Sequence, residues 1–94
     1  MYPDDMNEAI ENIYDYKNVL VYTARIMGKY EKKYDYNSVI ISNKIEGVAE
    51  KAFNNWKEAL DNSDEYFGYA KYVYDAVEDY FENVDGIDLK EDVA

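Results

Sequence analysis

Residues 6–34, MNEAIENIYDYKNVLVYTARIMGKYEKKY, carry an apolar or aromatic side chain at every seventh position. These positions are Met6, Ile13, Leu20, Met27 and Tyr34. Seven residues are close to two turns of an α-helix, so the five side chains lie on one face of it. The spacing therefore predicts one long amphipathic helix over about residues 5–33, with Asp5 as its N-terminal cap.

Two more stretches keep helical spacing and predict two further helices. The second helix covers about residues 39–61, and its apolar face consists of Ile41, Ile45, Val48, Ala52, Trp56 and Leu60. The third covers about residues 64–84, and its apolar face consists of Tyr66, Ala70, Val73, Val77, Tyr80 and Val84. The β-branched run at Val39–Ile41 is also compatible with a short strand, and this alternative stays open.

Three long helices joined by short turns are expected to lie antiparallel around one core. We therefore predict an all-α fold, a three-helix antiparallel (up-down-up) bundle that forms a single small domain over residues 1–94. Residues 86–94 are predicted to be an acidic tail beyond the third helix, although residues 88–94 are also compatible with one extra turn.

The first helix is apolar on more sides than one core requires. Val19, Tyr22 and Ile26 extend the apolar surface well beyond the face that contains Leu20 and Met27. A helix that is apolar on several sides is buried on several sides. Two explanations remain open: the helix lies between the other two, or these three residues form the contact of a homodimer.

Negative charge is concentrated at the two ends of the chain, whose net charge is −11. Residues 1–16 contain five acids and no base, whereas residues 17–60 contain five acids and eight bases. Residues 61–94 contain eleven acids and only two bases. Interleaved lysines would stabilise a helix better than like charges three and four residues apart. The arrangement therefore indicates either a solubilising surface or a surface that binds a basic partner.

Two acidic stripes are the candidate partner-binding residues, because each lies opposite the apolar face of its helix. The first helix contributes Asp4, Glu8, Glu11 and Asp15, and the third contributes Asp75, Glu78, Asp79 and Glu82. Asp64 precedes the second stripe, and Tyr72 and Tyr74 lie at its margins. The wheel places Tyr66, Tyr69 and Tyr80 on the buried side of the third helix.

A regular array of carboxylates on a rigid bundle could occupy the nucleic-acid-binding groove of another protein. In size and charge the chain resembles the small acidic inhibitors of restriction enzymes and CRISPR effectors that phages encode. The resemblance implies a DNA mimic that inhibits a basic, nucleic-acid-binding protein. The competing hypothesis is a homo-oligomeric helical scaffold or adaptor without catalytic activity.

Several other functions are disfavoured by composition. The chain has no histidine and no cysteine, so the usual proton shuttle, thiol nucleophile and zinc ligands are missing. We expect no enzyme activity, no cofactor and no metal. No membrane segment or signal peptide is apparent, so we expect a cytoplasmic protein, in the host cell if a phage encodes it.

Direct nucleic-acid binding is also disfavoured, although Lys29, Lys32 and Lys33 form a basic cluster in which Tyr30 and Tyr34 are interleaved. Cations suit the C-terminal end of a helix, and the surrounding negative charge repels phosphate. In an up-down-up bundle these lysines would lie near the end of the third helix, where Glu78, Glu82 or Asp85 could pair with them.

Overall fold

A computed structural model describes the backbone of residues 3–84 and 89–90, and the side chains of residues 14–84 and 89–90. It contains three helices: α1 (Pro3–Tyr34), α2 (Ser38–Asp61) and α3 (Ala70–Asn83). Each helix packs against both of the others. The ends of α1 and α3 meet at one pole, where Tyr30 stacks on Phe81 with ring centroids 4.7 Å apart. The predicted all-α up-down-up bundle is confirmed.

The turn between α1 and α2 is built from local hydrogen bonds. Asp35 adopts a left-handed conformation (φ 56°), and the amide of Tyr36 donates to the carbonyl of Glu31 at 3.0 Å, which closes the end of α1. The side chain of Asn37 then accepts from the amides of Val39 (2.9 Å) and Ile40 (3.2 Å), which caps the start of α2. Residues 39–41 are therefore helical, and the alternative of a short strand is wrong.

At the other end of the molecule, α1 begins at Pro3, so the predicted cap Asp5 lies inside the helix. Proline is well suited to the first turn, because the amide that it lacks would have no partner there. The side chain of Asp5 lies outside the described residues.

The core takes side chains from all three helices. The largest fully buried ones within them are Val19, Thr23, Met27, Ile41, Trp56, Val73 and Val77. Thr23 is the only buried polar residue among the described side chains, and its hydroxyl donates to the carbonyl of Val19 at 2.7 Å. This bond satisfies the hydroxyl inside the helix, so its burial carries no penalty for an unmade hydrogen bond.

The third helix begins at Ala70, six residues later than the predicted start at residue 64. Residues 62–69 instead form a loop in which Ser63 exchanges hydrogen bonds with the backbone of Glu65. The loop covers Trp56, whose indole N–H donates to the carbonyl of Phe67 at 2.9 Å. Because Tyr66 lies in this loop and not on a helix, it is 79% exposed, and its predicted place in the core is wrong. Ala70, at the first turn of α3, is exposed too.

Tyr69 and Tyr80, the other two tyrosines predicted on the buried side of the third helix, are partly buried. Both pack against the core. The hydroxyl of Tyr80 is buried without a hydrogen-bond partner among the described residues, and burial raises its pKa.

Leu89 belongs to the core and not to a tail. Its side chain is 1% exposed, and its carbonyl accepts from the amide of Asn37 at 2.7 Å. The chain therefore returns after α3 to the turn between α1 and α2. Residues 85–88 and 91–94 lie outside the described part, so the acidic tail over residues 86–94 stays a prediction apart from the buried Leu89.

Candidate partner-binding surface

The outer face of α3 carries the carboxylates that the sequence predicts. Asp75, Glu78, Asp79 and Glu82 are all exposed. They occupy this face because Val73 and Val77, on the opposite side of the same turns, are fully buried against α1 and α2. The structure thus brings together the acidic stripe of the third helix as predicted from the wheel.

The stripe is divided into two sides with different surroundings. Asp75 and Asp79 lean toward α2, where they line a shallow groove with Lys51. Glu78 and Glu82 lean toward the end of α1, where they line an open cleft with aromatic rings. The two sides therefore differ in both charge and chemistry.

The negative charge of Asp79 is balanced by a cation of the same chain. Its Oδ2 lies 2.5 Å from the ammonium of Lys51, the only ion pair among the described residues, and Asn83 donates to its Oδ1 at 3.0 Å. The hydrogen bond and charge of Lys51, with a smaller contribution from Asn83, lower the pKa of Asp79. Asp79 is therefore the member of the stripe with the least charge to offer a partner.

Replacing Lys51 by methionine is expected to raise the pKa of Asp79 toward its ordinary value, because the main stabiliser of the carboxylate is removed. In the parent chain the lowered pKa adds stability that is present above about pH 4 and is lost as the pH falls through the folded-state pKa. The variant loses this contribution. Carboxyl-detected NMR titration of Asp79 measures the change.

Lys44→Met is the matched control for Lys51→Met, since Lys44 is exposed on α2 and lines a cleft beside Asp79 without pairing with it. An equal shift of the Asp79 titration in both variants would show that net charge, and not the ion pair, sets the pKa.

The second side of the stripe forms an aromatic cleft, which we define by Tyr30, Tyr34, Tyr36, Glu78, Phe81 and Glu82. It is open and has a volume of about 510 Å³. Burial is the main cause that raises the pKa of Tyr30, and the negative charge of Glu78 raises it further. The Tyr30 hydroxyl thus stays neutral next to a carboxylate. None of the four rings of this cleft was among the predicted site residues, although tyrosines at 34 and 36 flank the turn residue Asp35 in the sequence.

The two tyrosines at the predicted margins lie at the edges of the bundle. Tyr74 remains exposed, although its ring meets that of Tyr22 edge-on with centroids 6.0 Å apart. Tyr72 is half-buried and stacks on Phe67 of the loop at 5.9 Å. Both therefore have a packing role and some surface left for a partner.

The remaining predicted acids lie elsewhere on the molecule. Asp64 is exposed in the loop before α3, not on the helix itself. Asp4, Glu8 and Glu11 lie on the backbone of α1, but their side chains are outside the described part, and Asp15 is half-buried. At 1.5 Å per residue, about 33 Å of helix separates Glu8 from Tyr30 in the aromatic cleft. The start of the first acidic stripe therefore lies far along the molecule from the aromatic cleft.

Two of the three residues that were predicted to form a homodimer contact are buried inside this chain. Val19 and Ile26 are buried in the core of this chain, and the ring of Tyr22 packs edge-on against that of Tyr69, 5.7 Å away. The first of the two explanations, that α1 lies against both other helices, accounts for its apolar excess. Val19 and Ile26 could contact a second copy only if the bundle opened.

The lysines at the end of α1 make no ion pair with Glu78 or Glu82. Among the described residues the only salt bridge joins Lys51 of α2 to Asp79 of α3. Instead, the ammonium of Lys33 lies 5.2 Å from the ring centroid of Tyr34. Asp85, the third predicted partner of these lysines, is outside the described residues. The end of α1 therefore adds one cation to the border of the aromatic cleft.

Within the described side chains, no group of three or more potential metal ligands comes together. None of the described helices combines the length and apolar character needed to cross a membrane. No protein-family model, curated protein or solved structure matches this chain. The proposed function therefore rests on the fold, charge and surface geometry of this chain alone.

Proposed function

We propose that this chain is an inhibitor that acts by binding and not by catalysis, and that it covers a basic, nucleic-acid-binding surface of another protein. The observation that supports this function is the outer face of α3. Asp75, Glu78 and Glu82 are exposed there and have no ion-pair partner among the described residues. Only Asp79 is neutralised.

The carboxylates are regularly spaced on a rigid support. Those one helical turn apart are separated by about 5.4 Å along the helix axis, which is of the same order as the charge spacing along a nucleic-acid backbone. Rigidity matters because charges that are already in place cost less conformational entropy when they bind. A basic groove that normally holds phosphates would therefore find a similar pattern of negative charge on α3.

The contrast with α2 supports a role beyond solubility. On α2 the exposed acids Glu46 and Glu50 are flanked by Lys44 and Lys51, as expected for a helix whose surface only needs to be solvated. On α3 the single lysine, Lys71, precedes the four acids. In size and charge the chain is similar to phage-encoded anti-restriction and anti-CRISPR inhibitors, and this supports the same class of target.

The triple substitution Asp75→Asn, Glu78→Gln and Glu82→Gln is expected to weaken binding to the partner by roughly tenfold or more. The partner is isolated by affinity capture from a host lysate and identified by mass spectrometry. Its DNA binding is then measured with and without this chain. We expect the parent chain to block DNA binding, and we expect the complex to dissociate steeply between low and moderate salt.

A matched control removes the same charge from α2 through Glu46→Gln, Glu50→Gln and Glu58→Gln, which are all exposed positions. This variant has the same net charge as the first one. Equal loss of binding in both would mean that only total charge matters, and a captured protein that binds DNA equally well with and without this chain would contradict the proposed function.

A further inference from the structure

The aromatic cleft contains four rings that lie nearly parallel, and each ring stacks on two of the others. Tyr30 stacks on Phe81 at 4.7 Å and Phe81 on Tyr36 at 5.6 Å, with interplanar angles of 18° and 17°. Tyr36 stacks on Tyr34 at 5.4 Å, and Tyr34 on Tyr30 at 6.1 Å, with angles of 24° and 20°. Three parts of the chain supply these rings: α1, the turn that follows it, and α3.

Parallel rings favour a flat ligand. A further planar group can stack on a ring of such a set that is accessible to solvent, and Tyr34 provides accessible area because it is 43% exposed. A round quaternary ammonium is instead held by rings that surround it as the walls of a cage. The near-parallel arrangement therefore suits a planar group better than a trimethylated lysine.

The charge of the cleft favours a cation. Glu78 and Glu82 line it beside the rings, and both are exposed and without an ion-pair partner among the described residues. The negative faces of the aromatic rings attract a cation in the same direction. Lys33, over the ring of Tyr34, opposes this attraction with a single positive charge.

We propose that the aromatic cleft binds an arginine side chain of a protein partner. A guanidinium is planar and permanently charged, stacks on aromatic faces and donates paired hydrogen bonds to carboxylates, so it matches both components of the cleft. The proposal rests on the proposed function only for the source of this arginine, a basic partner. A stacked nucleobase is the less favoured occupant, since Glu78 and Glu82 would repel its phosphate.

The test is an NMR titration of the tyrosine ring signals with N-acetyl-arginine methylamide. The corresponding lysine and citrulline compounds have the same backbone and serve as comparison ligands. Citrulline keeps the shape of arginine and lacks its charge. We expect saturable shifts at Tyr30, Tyr34 and Tyr36 with arginine, weaker ones with lysine and none with citrulline. Glu78→Gln together with Glu82→Gln is expected to weaken arginine binding by about fivefold or more, whereas Lys33→Gln is expected to strengthen it by about twofold.

Several results would overturn the proposal. Equal shifts with citrulline and arginine would do so, as would no shift with arginine. So would unchanged arginine binding in the Glu78→Gln and Glu82→Gln variant, or stronger shifts with an oligothymidylate than with arginine. Failure here, with capture of a DNA-binding partner intact, would overturn this inference alone. Arginine binding by a chain that blocks no DNA-binding protein would overturn the proposed function and leave the cleft as an arginine site.

Discussion

Replacing Trp56 by alanine is expected to lower the free energy of unfolding by about 3–5 kcal/mol. The indole is fully buried and meets the rings of Phe53, Tyr66 and Tyr69 edge-on at centroid distances of 5.5–6.4 Å. Alanine leaves a large cavity between α2 and the loop. It also removes the hydrogen bond to the carbonyl of Phe67, which holds the loop against α2.

This loss would be a large fraction of the stability of a single domain, which is about 5–15 kcal/mol. Urea denaturation followed by far-UV circular dichroism measures it, since the variant has no tryptophan fluorescence. Loop residues 62–69 should also become more sensitive to proteases, because they lose the contacts with Trp56 that hold them against α2.

Trp56→Phe separates the two causes of this destabilisation, since it keeps an aromatic ring and removes the indole N–H. We expect a smaller loss of about 1–2 kcal/mol. Glu58→Ala is the control on the exposed side of the same helix, with a change within about 0.5 kcal/mol. A loss below about 1 kcal/mol in the alanine variant would contradict the buried position of Trp56 under the loop.

Leu89→Ala is expected to lower the free energy of unfolding by about 2–5 kcal/mol. The side chain is fully buried. Around it the structure describes residues 89–90. The bond from the amide of Asn37 to its carbonyl links this segment to the residue that caps α2. Thermal and urea denaturation of the two proteins measure the loss.

Lys90→Ala provides the control for Leu89→Ala, because Lys90 is the next residue and is exposed. We expect it to change stability by no more than about 0.5 kcal/mol. If both substitutions had such a small effect, the segment would be the acidic tail that composition predicts, and the core would end with α3.

The acidic face of α3 could be predicted from sequence, but its chemistry could not. The wheel places Asp75, Glu78, Asp79 and Glu82 on one side, because helical spacing is a property of consecutive residues. Whether each carboxylate is free depends on a residue far away in sequence: Lys51 pairs with Asp79 across 28 positions. The distinction between a neutralised and an unpaired side of the stripe therefore requires the packing of α2 against α3.

The aromatic cleft also depends on the packing of elements that are distant in sequence. Tyr30, Tyr34 and Tyr36 are close in sequence, but a helical residue and a turn residue need a third element to hold their rings parallel. Phe81 supplies it from α3, since it stacks on both Tyr30 and Tyr36. A search of the sequence for tyrosines around a turn could have indicated three of the four rings, and the up-down-up order places Glu78 and Glu82 near this end of α1. The stacking of Phe81 on two of the tyrosines could not be predicted in this way.

By itself the sequence determined three helices, most of their apolar faces, the up-down-up order and the uneven distribution of charge. The helices and their faces follow from local periodicity, their order from short connections and the charge from composition. The tertiary structure decided where α3 begins and where the core ends. Residues 64–69 could continue the helix, but Gly68 weakens it, and in a helix the carbonyl of Phe67 would accept from the amide of Lys71. In the loop that carbonyl accepts from Trp56, and the chain gains a cover for its largest buried side chain. Leu89 is similar, since the stretch after α3 is too short to show a helical periodicity, and the burial of Leu89 depends on the pole that α1, α2 and α3 create together.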